Sequence, residues 1–536
     1  MDKVNIKLGH KWRSNLRDKG VVHFRGAAFH QGTQLEDTSA LAHLLASAQT
    51  ERQLESLLGT LNGFHAWVEQ SPDRLRAAVD HVRSIPLFYG QGGNSFYLSD
   101  DAEWVREQVG DTEMDPVARN DFLLSGYVTG SETLFPNVKQ LQAGQWLEVI
   151  FNDGFFSVST SRFYRFFHDE PGLVDAAELR KRLSTVTADA IDRLVRYANG
   201  RQILLPLSGG YDSRLIAAML KERGYRNVVC FTYGVPGNKE AAYSKSVADA
   251  LGLRWEFVEY TNELWRHEWA LPEAVDYRMQ AANQCSLPHV QDWLAIKQLR
   301  DRGIVEARAV VVPGHSGDFV AGSHIPEYVF QKDSFSDEEL FDAIINRHLS
   351  NAPIATMGSN GREAVALRIR ECIGLPHDGS AVSFANLYEL WDWQERQAKY
   401  IVNSVRVYDQ FDLDWWMPLW DVEFVDFWQG VPLELRRGRA WYIDWVQGVY
   451  ARVAGASSAT LTNAGDRGLV ISFLIALAKK FLRPWVGLMR GVRSSFGWRH
   501  PLAFESLVDP HELKVYYSKG YNILGVYADL FIKGRW

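Results

Sequence analysis

A segment between an apolar run and an amphipathic run holds the residue types that bind phosphate. It reads Ser208-Gly209-Gly210-Tyr211-Asp212-Ser213. Small residues let a backbone approach a ligand closely, and the N–H groups at the start of a helix attract anions. The hydroxyls of Ser208 and Ser213 add hydrogen-bond donors for phosphate oxygens. Because Asp212 would repel phosphate unless a cation lay between them, the segment predicts a phosphate loop with Mg²⁺ at Asp212.

The chain around this loop alternates apolar and amphipathic segments. Apolar runs occur at 203–207, 228–232, 255–259 and 309–312, and helical patterns at 174–196, 214–222 and 239–251. Such alternation is typical of a parallel α/β sheet. Residues 1–165 instead show short strand patterns, and the chain after residue 335 is mainly helical. The sequence predicts an α/β protein with a β-rich domain at 1–170, a second domain at 171–455 and a C-terminal extension at 456–536.

Composition excludes several functional classes. A chain of 536 residues is too long for one core, which rarely exceeds about 250–300 residues. The net charge of −7 argues against non-specific nucleic-acid binding. Cys230, Cys285 and Cys372 lack metal-binding spacing and are typical of a reducing cytoplasm. The first residues carry no apolar signal-peptide core, so we expect a cytoplasmic protein.

One C-terminal stretch raises the question of membrane contact. The apolar run 469–478 is shorter than the roughly 20 residues that span a bilayer. Basic and aromatic residues follow it up to about residue 495. A core helix with a solvated basic face is the favoured interpretation. Peripheral contact of 469–495 with the inner face of a membrane is the alternative.

The phosphate loop and a second segment carry a family resemblance. Ser-Gly-Gly-x-Asp-Ser resembles the pyrophosphate loop of the ATP pyrophosphatases, specifically of the asparagine synthetase family. Gly314-His-Ser-Gly-Asp318 is similar to the family segment whose aspartate faces the same magnesium. Weaker similarities follow in the family's order: Leu61-Asn-Gly-Phe64, Ile85-Pro-Leu-Phe-Tyr-Gly90, Gly126-Tyr-Val-Thr-Gly130, Met417-Pro-Leu-Trp-Asp421 and Val431-Pro-Leu-Glu-Leu435. The resemblance covers about residues 55–450.

The resemblance implies a fold and a set of site residues. The fold is an N-terminal amidotransferase domain of the N-terminal nucleophile hydrolase type, then a doubly wound, HUP-like ATP pyrophosphatase domain with a mainly helical C-terminal region. Asp212 and Asp318 would hold Mg²⁺. The residues assigned to ATP and pyrophosphate are Ser208, Gly209, Gly210, Asp212, Ser213 and Gly314, with adenine against the backbone from Phe231 to Gly234.

The chain also departs from the family pattern. Glutamine-using members begin with a nucleophilic cysteine, whereas here Met1 precedes Asp2 and no cysteine occurs before Cys230. The family's Asn-Gly-Glu-Ile-Tyr-Asn segment has no recognisable counterpart. Because nucleophile and oxyanion donors act as a unit, the N-terminal domain is predicted to be a degenerate, structural one. Ammonia, another amine or a partner glutaminase would then supply nitrogen.

Two departures fall in the predicted active site. His315 and Phe319 replace the glutamates that flank the magnesium aspartate. His315 is either a base for the amine or a histidine hydrogen-bonded within the loop, and both stay open. Arg439 is the one candidate for the family's late catalytic lysine, although arginine and lysine are not interchangeable.

Three further clusters lie outside the main motifs. The segment 286–292 combines polar side chains with a turn and is a candidate pocket wall. Glu395 and Arg396 with Lys399 have i, i+4 spacing, for which a surface ion pair is the favoured interpretation. Lys239 and Glu240 start a helix near the nucleotide, where helix capping is nearly as good an explanation.

These observations predict a ligase that cleaves ATP to AMP and pyrophosphate, adenylates a carboxylate and transfers ammonia or an amine to it. Tyr211 and Arg214 in the loop, together with the absent glutaminase, resemble asparagine synthetase-related proteins of bacterial surface polysaccharide (O-antigen) synthesis. The predicted acceptor is therefore a uronic-acid sugar. Asparagine formation and ring closure as in lasso-peptide or β-lactam synthetases are alternatives. A paralogue that only binds nucleotide or a partner is the non-enzymatic one, and the oligomeric state is not predicted.

Overall fold

The protein is described here from a computed structural model, and the residues described are 4–17, 20–35, 37–152, 155–169, 175–357, 361–455 and 501–536. The N-terminal region is made of short strands and four helices. Its strands are β1 (Val4–Lys7), β2 (Arg13–Arg17), β3 (Gly20–His30), β4 (Thr33–Gln34), β5 (Leu61–Gln70), β6 (Arg74–Val79), β7 (Phe88–Gly92), β8 (Ser95–Ser99), β9 (Val138–Gln140), β10 (Gln145–Asn152) and β11 (Phe155–Arg162). Its helices are α1 (Thr38–Ser47), α2 (Glu51–Gly59), α3 (Ala102–Val109) and α4 (Pro116–Ser125).

The N-terminal strands form two sheets with two separate cores. The larger sheet has the order β11-β10-β6-β5-β3-β2, with β4 paired to β3, and the smaller has the order β1-β8-β7-β9. Side chains alternate across β5, because successive residues of a strand point to opposite faces. Phe64 and Ala66 therefore face the main core, whereas Trp67 faces a second core that α1 and α2 cover.

The second region opens with a long helix and continues as alternating strands and helices. Its helices are α5 (Ala176–Ala198), α6 (Tyr211–Glu222), α7 (Lys239–Leu251), α8 (Asn262–Trp269), α9 (Pro272–Ala282), α10 (Trp293–Asp301), α11 (Gly317–Val320), α12 (Asp337–His348), α13 (Gly361–Ile373), α14 (Ala381–Asp392), α15 (Arg406–Gln410), α16 (Val422–Gln429), α17 (Leu433–Arg436) and α18 (Ala440–Ala454). Its strands are β12 (Ile203–Pro206), β13 (Val228–Gly234), β14 (Arg254–Glu259), β15 (Val310–Val311) and β16 (Asp414–Trp415).

Shorter helical segments complete this second region. A π-helix at Trp393–Ile401 follows α14 directly. The 3-10 helices are at Glu327–Gln331, Ile354–Met357, Val402–Val405, Pro418–Trp420 and Arg437–Arg439, with another at Phe504–Leu507 near the C-terminus.

The five strands of the second region form one parallel sheet in the order β14-β13-β12-β15-β16. The predicted parallel α/β sheet is confirmed, and its four predicted strands correspond to β14, β13, β12 and β15. The two-residue strand β16 was not predicted. Because the strand order reverses between β12 and β15, this sheet has a topological switch point there, where ligands of doubly wound folds bind.

A buried carboxylate joins the two regions. Asp421 accepts hydrogen bonds from Arg193 Nε at 2.6 Å and from Asn62 Nδ2 at 3.0 Å. Asn62 Oδ1 in turn accepts the backbone N–H of Val422. Two of the sequence motifs, around Asn62 and Asp421, therefore meet in one interdomain contact, because a buried charge needs a partner and hydrogen bonds.

The described part of the C-terminal extension, residues 501–536, packs on the rest of the protein. It contains α19 (Pro510–Ser518) and α20 (Ile523–Ile532). Phe531 of α20 stacks on Phe122 of α4 with ring centroids 5.4 Å apart. The predicted basic stretch 469–495, with its apolar run, lies entirely outside the described residues. Within the described residues, no helix is long and apolar enough to cross a membrane.

Candidate active site

The phosphate loop connects the carboxyl end of β12 to α6, beside the switch point of the parallel sheet. The helix begins at Tyr211, so the second half of the predicted loop forms its first turn. Ser208 Oγ accepts the N–H of Gly210 at 3.1 Å, and Ser213 Oγ accepts the N–H of Ser208 at 3.2 Å. Gly210 is the N-cap residue and has no side chain to cover the first N–H groups of α6. This end of the helix is therefore suited to an anion.

A carboxylate already contacts one N–H group of this loop. Glu240 Oε2 accepts the N–H of Gly209 at 2.8 Å. A Cβ at position 209 would lie 3.0 Å from that oxygen and 3.2 Å from Tyr243 Cβ, so glycine is needed for the close approach. Asn238, rather than Glu240, caps α7 by accepting the N–H of Ala241. The contact shows that the loop backbone can bind an oxyanion.

The two predicted metal ligands lie together at the start of α6. The backbone N–H of Asp318 donates to Asp212 Oδ2 at 2.9 Å, and Tyr442 Oη donates to Asp212 Oδ1 at 2.9 Å. Burial and the neighbouring Asp318 carboxylate raise the pKa of Asp212. A Cβ at Gly317 would lie 2.7 Å from Tyr442 Oη and 3.0 Å from Asp212 Cγ, which explains a glycine before Asp318.

Two adjacent carboxylates fit the requirements of Mg²⁺. This ion is commonly held by one or two protein carboxylates together with water and substrate phosphates. A cation would also offset the like charges that raise the pKa of Asp212. Among the described residues, no group of three or more His, Cys, Asp or Glu side chains could hold a metal by itself. The site therefore fits a magnesium ion bound jointly with phosphate.

Arg439 lies at the same site, as predicted from its place in the chain. Its Nη1 is 3.9 Å from Asp318 Oδ2, and its guanidinium lies 5.9 Å from the centroid of the Tyr211 ring. The residue has a left-handed backbone with φ of 54° just before α18. The structure thus brings a cation next to the carboxylate pair and the phosphate loop.

His315 lies in the loop after β15, and its side chain is within hydrogen-bond distance of another residue of the protein. Its Nε2 lies 2.9 Å from Ser404 Oγ. Burial, with the nearby His289, lowers the pKa of His315 to about 4. The side chain is therefore neutral at pH 7 and a weak proton acceptor. A Cβ at Gly314 would lie 2.9 Å from the Ser213 backbone nitrogen, so this loop packs directly on the start of α6.

The predicted adenine contacts lie at the end of β13. The Phe231 side chain is fully buried, and its carbonyl accepts the N–H of Leu207 at 2.8 Å. Gly234 has a positive φ of 136°, and a Cβ there would lie 2.7 Å from Pro501 O. The next residue, Val235, donates its N–H to the same carbonyl at 2.8 Å. The C-terminal segment thus borders this edge, and the buried Phe231 side chain is not available to a base.

Sequence reasoning missed a polar network next to the carboxylate pair. Ser316 Oγ donates to Gln397 Oε1 at 2.9 Å, and Gln397 Nε2 donates to Asp392 Oδ1 at 3.1 Å. His324 Nδ1 lies 2.6 Å from Asp392 Oδ2. Tyr442 was missed as well, because the sequence does not show that the helix with this tyrosine packs against the site. Ser316 lies in the predicted Gly314–Asp318 segment, but Gln397, Asp392 and Tyr442 come from the π-helix, α14 and α18, which no local motif connects to the loop.

The Glu395–Lys399 pair was wrongly expected on the surface. Both side chains are fully buried, and Lys399 Nζ lies 2.6 Å from Glu395 Oε2. Lys399 also donates to the carbonyls of Val128 and Gly130, whose N–H donates to Glu395. The pair is buried because the Gly126–Gly130 motif of the N-terminal region covers the π-helix.

The segment 286–292 is tied to the core by tyrosines. Asp292 accepts hydrogen bonds from Tyr233 and Tyr408, the latter at 2.6 Å. The carbonyl of His289 accepts from Tyr277 at 2.6 Å. The His289 ring lies 5.9 Å from that of Tyr400 in the π-helix. Asp292 is thus satisfied by the protein, and His289 faces the π-helix that leads directly into the 3-10 helix of Ser404, the partner of His315.

Comparison with known proteins agrees with this arrangement. The asparagine synthase family model matches residues 185–441, and the glutamine amidotransferase domain model matches residues 25–164. The two matched domains, in this order, support a relationship to the asparagine synthetase family. The predicted amidotransferase-type N-terminal domain and synthetase domain are confirmed, and together they support the predicted enzyme class, a carbon–nitrogen ligase. No curated protein matches the chain.

Solved structures that match this chain share little sequence with it. The allosteric regulatory enzyme of purine biosynthesis is 15% identical over 56% of this chain and 57% of its own, with a TM-score of 0.19. The glutamine phosphoribosylpyrophosphate amidotransferase from B. subtilis is 14% identical over 56% and 63%, with a TM-score of 0.19. The NH3-dependent NAD synthetase from Campylobacter jejuni is 14% identical over 37% and 95%, with a TM-score of 0.21. The match thus spans little more than half the length of the first structure's chain.

Proposed function

We propose that the protein is an ATP-dependent, AMP-forming amide ligase. The observation that carries this proposal is the meeting of Asp212, Asp318 and Arg439 at the start of α6, beside a loop whose backbone binds an oxyanion. Two carboxylates and a cation at a phosphate-type loop suit the transfer of a nucleotide group, in which positioning and charge neutralisation supply most of the catalysis.

The reaction has two steps. First, an oxygen of the acceptor carboxylate attacks the α-phosphorus of ATP, and the bond from that phosphorus to the bridging oxygen breaks to release pyrophosphate. Second, an amine nitrogen attacks the acyl carbon of the adenylate, the carbon–oxygen bond to the phosphate breaks, and AMP leaves. The attacking nitrogen, whether from ammonia or from another amine, releases one proton to water as the amide forms. The acid is thereby converted to an amide.

Each residue of the site has a role in this proposal. The loop from Ser208 to Ser213 holds the departing pyrophosphate, which would take the place of the Glu240 carboxylate at the Gly209 N–H. Asp212 and Asp318 hold Mg²⁺, which neutralises phosphate charge when bound. Tyr442 fixes the Asp212 carboxylate by its hydrogen bond. Arg439 is the cation that stabilises negative charge between the nucleotide and the acceptor, which is the role predicted for the family's lysine.

The acceptor in this proposal is a sugar carboxylate, a uronic acid used in surface polysaccharide synthesis. The network beside Asp318 offers neutral hydrogen-bonding groups from Ser316, Gln397 and the neutral His315. The buried charges near it are already paired within the protein: Glu395 with Lys399 and Asp392 with His324. A free amino acid would need a buried partner for both its ammonium and its carboxylate, since an unpaired buried charge is costly.

The same proposal implies a source of the nitrogen and a cellular location for the reaction. No cysteine occurs in the glutamine amidotransferase region 25–164, so ammonia or an amine, delivered free or by a partner glutaminase, supplies the nitrogen. A sugar carried on a nucleotide or a lipid would be met in the cytoplasm. The basic stretch 469–495 is the segment that would contact the inner face of a membrane.

Asparagine formation is the second candidate, because the family model that matches residues 185–441 is that of asparagine synthase. The two candidates separate in one experiment. The protein is supplied with ATP, Mg²⁺ and ammonium, and with either aspartate or nucleotide-linked uronic acids. We expect AMP release with a uronic acid and none above background with aspartate. Turnover of aspartate at a rate that the sugars do not match would contradict the sugar acceptor and leave asparagine synthesis.

A further inference from the structure

A cleft of about 800 Å³ lies between the two regions, away from the phosphate loop. One wall comes from the N-terminal region and the segment that leaves it, with Gln142, Arg162 and Arg165. The opposite wall comes from α13 and from the end of α14 with the π-helix, including Arg368 and Gln394. None of the residues from Ser208 to Ser213 lines this cleft, so it is a separate site.

Two arginines in the cleft lack a carboxylate partner. Arg162 donates to the Ala143 carbonyl at 2.6 Å and to Gln142 Oε1 at 3.2 Å, and its guanidinium lies 5.6 Å from the Trp393 ring centroid. Among the described residues, neither Arg162 nor Arg165 has an ion-pair partner within 4.0 Å. Burial and the nearby Arg165 lower the pKa of Arg162 to about 10, so Arg162 remains charged at pH 7.

The other charged residues that line the cleft are two ion-paired cations, with Glu132 as one partner, and two acids without an ion pair among the described residues. Lys139 pairs with Glu132. Arg368 Nε lies 2.9 Å from Asp121, which lies behind the wall. Asp115 caps α4 by accepting the N–H of Ala118. The remaining lining acid, Glu371, is exposed on α13 and makes no ion pair with either arginine among the described residues. Asp115 and Glu371 thus carry as many unpaired negative charges as the two arginines carry positive ones, but among the described residues neither acid forms an ion pair with Arg162 or Arg165.

We propose that Arg162 and Arg165 bind an oxyanion, either a carboxylate or a phosphate, of a small ligand that docks between the two regions. Guanidinium groups are suited to both because their N–H donors match the geometry of paired oxygens. Val117 and Leu367, which are 44% and 56% exposed, line the same cleft and would contact a ring or chain of the ligand. A ring that carries one acidic group, such as an acidic or phosphorylated sugar, fits both features.

The fold itself positions the side chain of Arg162 in this cleft, without any ligand. Arg162 ends β11 and is braced by the turn at Gln142 and by Trp393, a fully buried residue. Arg165 is exposed and makes no hydrogen bond within the described residues, so it can turn toward a ligand without loss of a protein contact. Arg165 thus offers a substitution that tests binding without disturbing the fold.

Isothermal titration calorimetry of the full chain with glucuronate, glucose 1-phosphate and glucose tests this proposal. We expect the wild type to bind at least one of the two acidic sugars and not glucose. Arg165→Gln should weaken that binding by about tenfold or more, the effect of losing one charge-assisted contact. Arg370→Gln, an exposed arginine of α13 that pairs with Asp337 outside the cleft, should bind like the wild type.

The outcomes separate this site from the proposed active site. Glucose 1-phosphate has no carboxylate, so it is not an acceptor for the proposed adenylation. Binding heat that the Arg165→Gln variant still shows belongs to another site. Binding of glucuronate alone identifies a carboxylate site, and binding of glucose 1-phosphate alone a phosphate site. Failure of the wild type to bind either acidic sugar at millimolar concentration overturns the proposal. Equal affinities of the wild type and Arg165→Gln overturn it as well, whatever the result of the AMP assay.

Discussion

At the scale of single residues, Asp212 depends on contacts from two distant parts of the chain, the segment 317–318 and Tyr442. Its carboxylate accepts from the Asp318 backbone and from Tyr442, while Gly317 leaves room for both. The pairing of Asp212 with Asp318 could be predicted, because each belongs to a recognisable motif. Tyr442 and the neutral state of His315 could not, since burial and hydrogen bonding depend on packing that no local pattern records.

Substitution of Asp212 tests this arrangement. Asp212→Asn keeps the shape of the side chain but removes the charge that would bind the metal, so we expect a loss of roughly 100-fold or more in turnover. Tyr442→Phe removes one hydrogen bond and should cost about tenfold. Both are measured as the rate of AMP release at saturating ATP.

Asp444→Asn is the matched control, because Asp444 is an exposed residue of α18 that pairs with Arg180. It should retain wild-type turnover. Full activity of Asp212→Asn with an unchanged unfolding curve would exclude Asp212 from the chemistry.

At the scale of elements, the strands of the parallel sheet could be predicted, but the burial of the π-helix at Trp393–Ile401 could not. Continuous apolar runs identify β12 and β13, because a strand buried on both faces has few polar residues. The π-helix at Trp393–Ile401 carries an i, i+4 pair that resembles a surface pair. Gly130, which packs over this helix and donates its N–H to Glu395, lies 265 residues before Glu395 in the sequence. Periodicity within one helix does not show what covers it.

The buried pair makes a prediction about stability. Lys399→Met would leave Glu395 as an unpaired buried carboxylate and remove two hydrogen bonds to Val128 and Gly130. We expect a loss of about 3–5 kcal/mol in the free energy of unfolding, measured by chemical denaturation. Adding Glu395→Gln to Lys399→Met should restore part of the loss, because the buried charge is then gone.

The control for this prediction is an exposed pair with the same spacing. Lys245 lies 2.6 Å from Asp249 on α7, with both side chains more than half exposed. Lys245→Met should change stability by less than about 1 kcal/mol. If Lys399→Met were no more destabilising than Lys245→Met, the buried pair would not hold the π-helix to the N-terminal region.

At the scale of the whole molecule, the N-terminal region braces the synthetase domain by direct contacts. Asn62 binds Asp421, and Gly130 binds the Glu395–Lys399 pair. The sequence resemblance predicted both domains, yet it gave no reason for motifs so far apart to meet. Nor could it show that residues 501–536 pack on α4 and border the end of β13, because such contacts depend on the folded arrangement.

The products of ATP cleavage test the central claim most directly. The protein is incubated with ATP, Mg²⁺ and ammonium together with nucleotide-linked uronic acids or aspartate, and the nucleotide and phosphate products are separated and quantified. The proposed chemistry breaks the bond beyond the α-phosphorus, so it predicts AMP and pyrophosphate in equal amounts, with Asp212→Asn releasing neither above background. Formation of ADP and inorganic phosphate in step with the amide would contradict it.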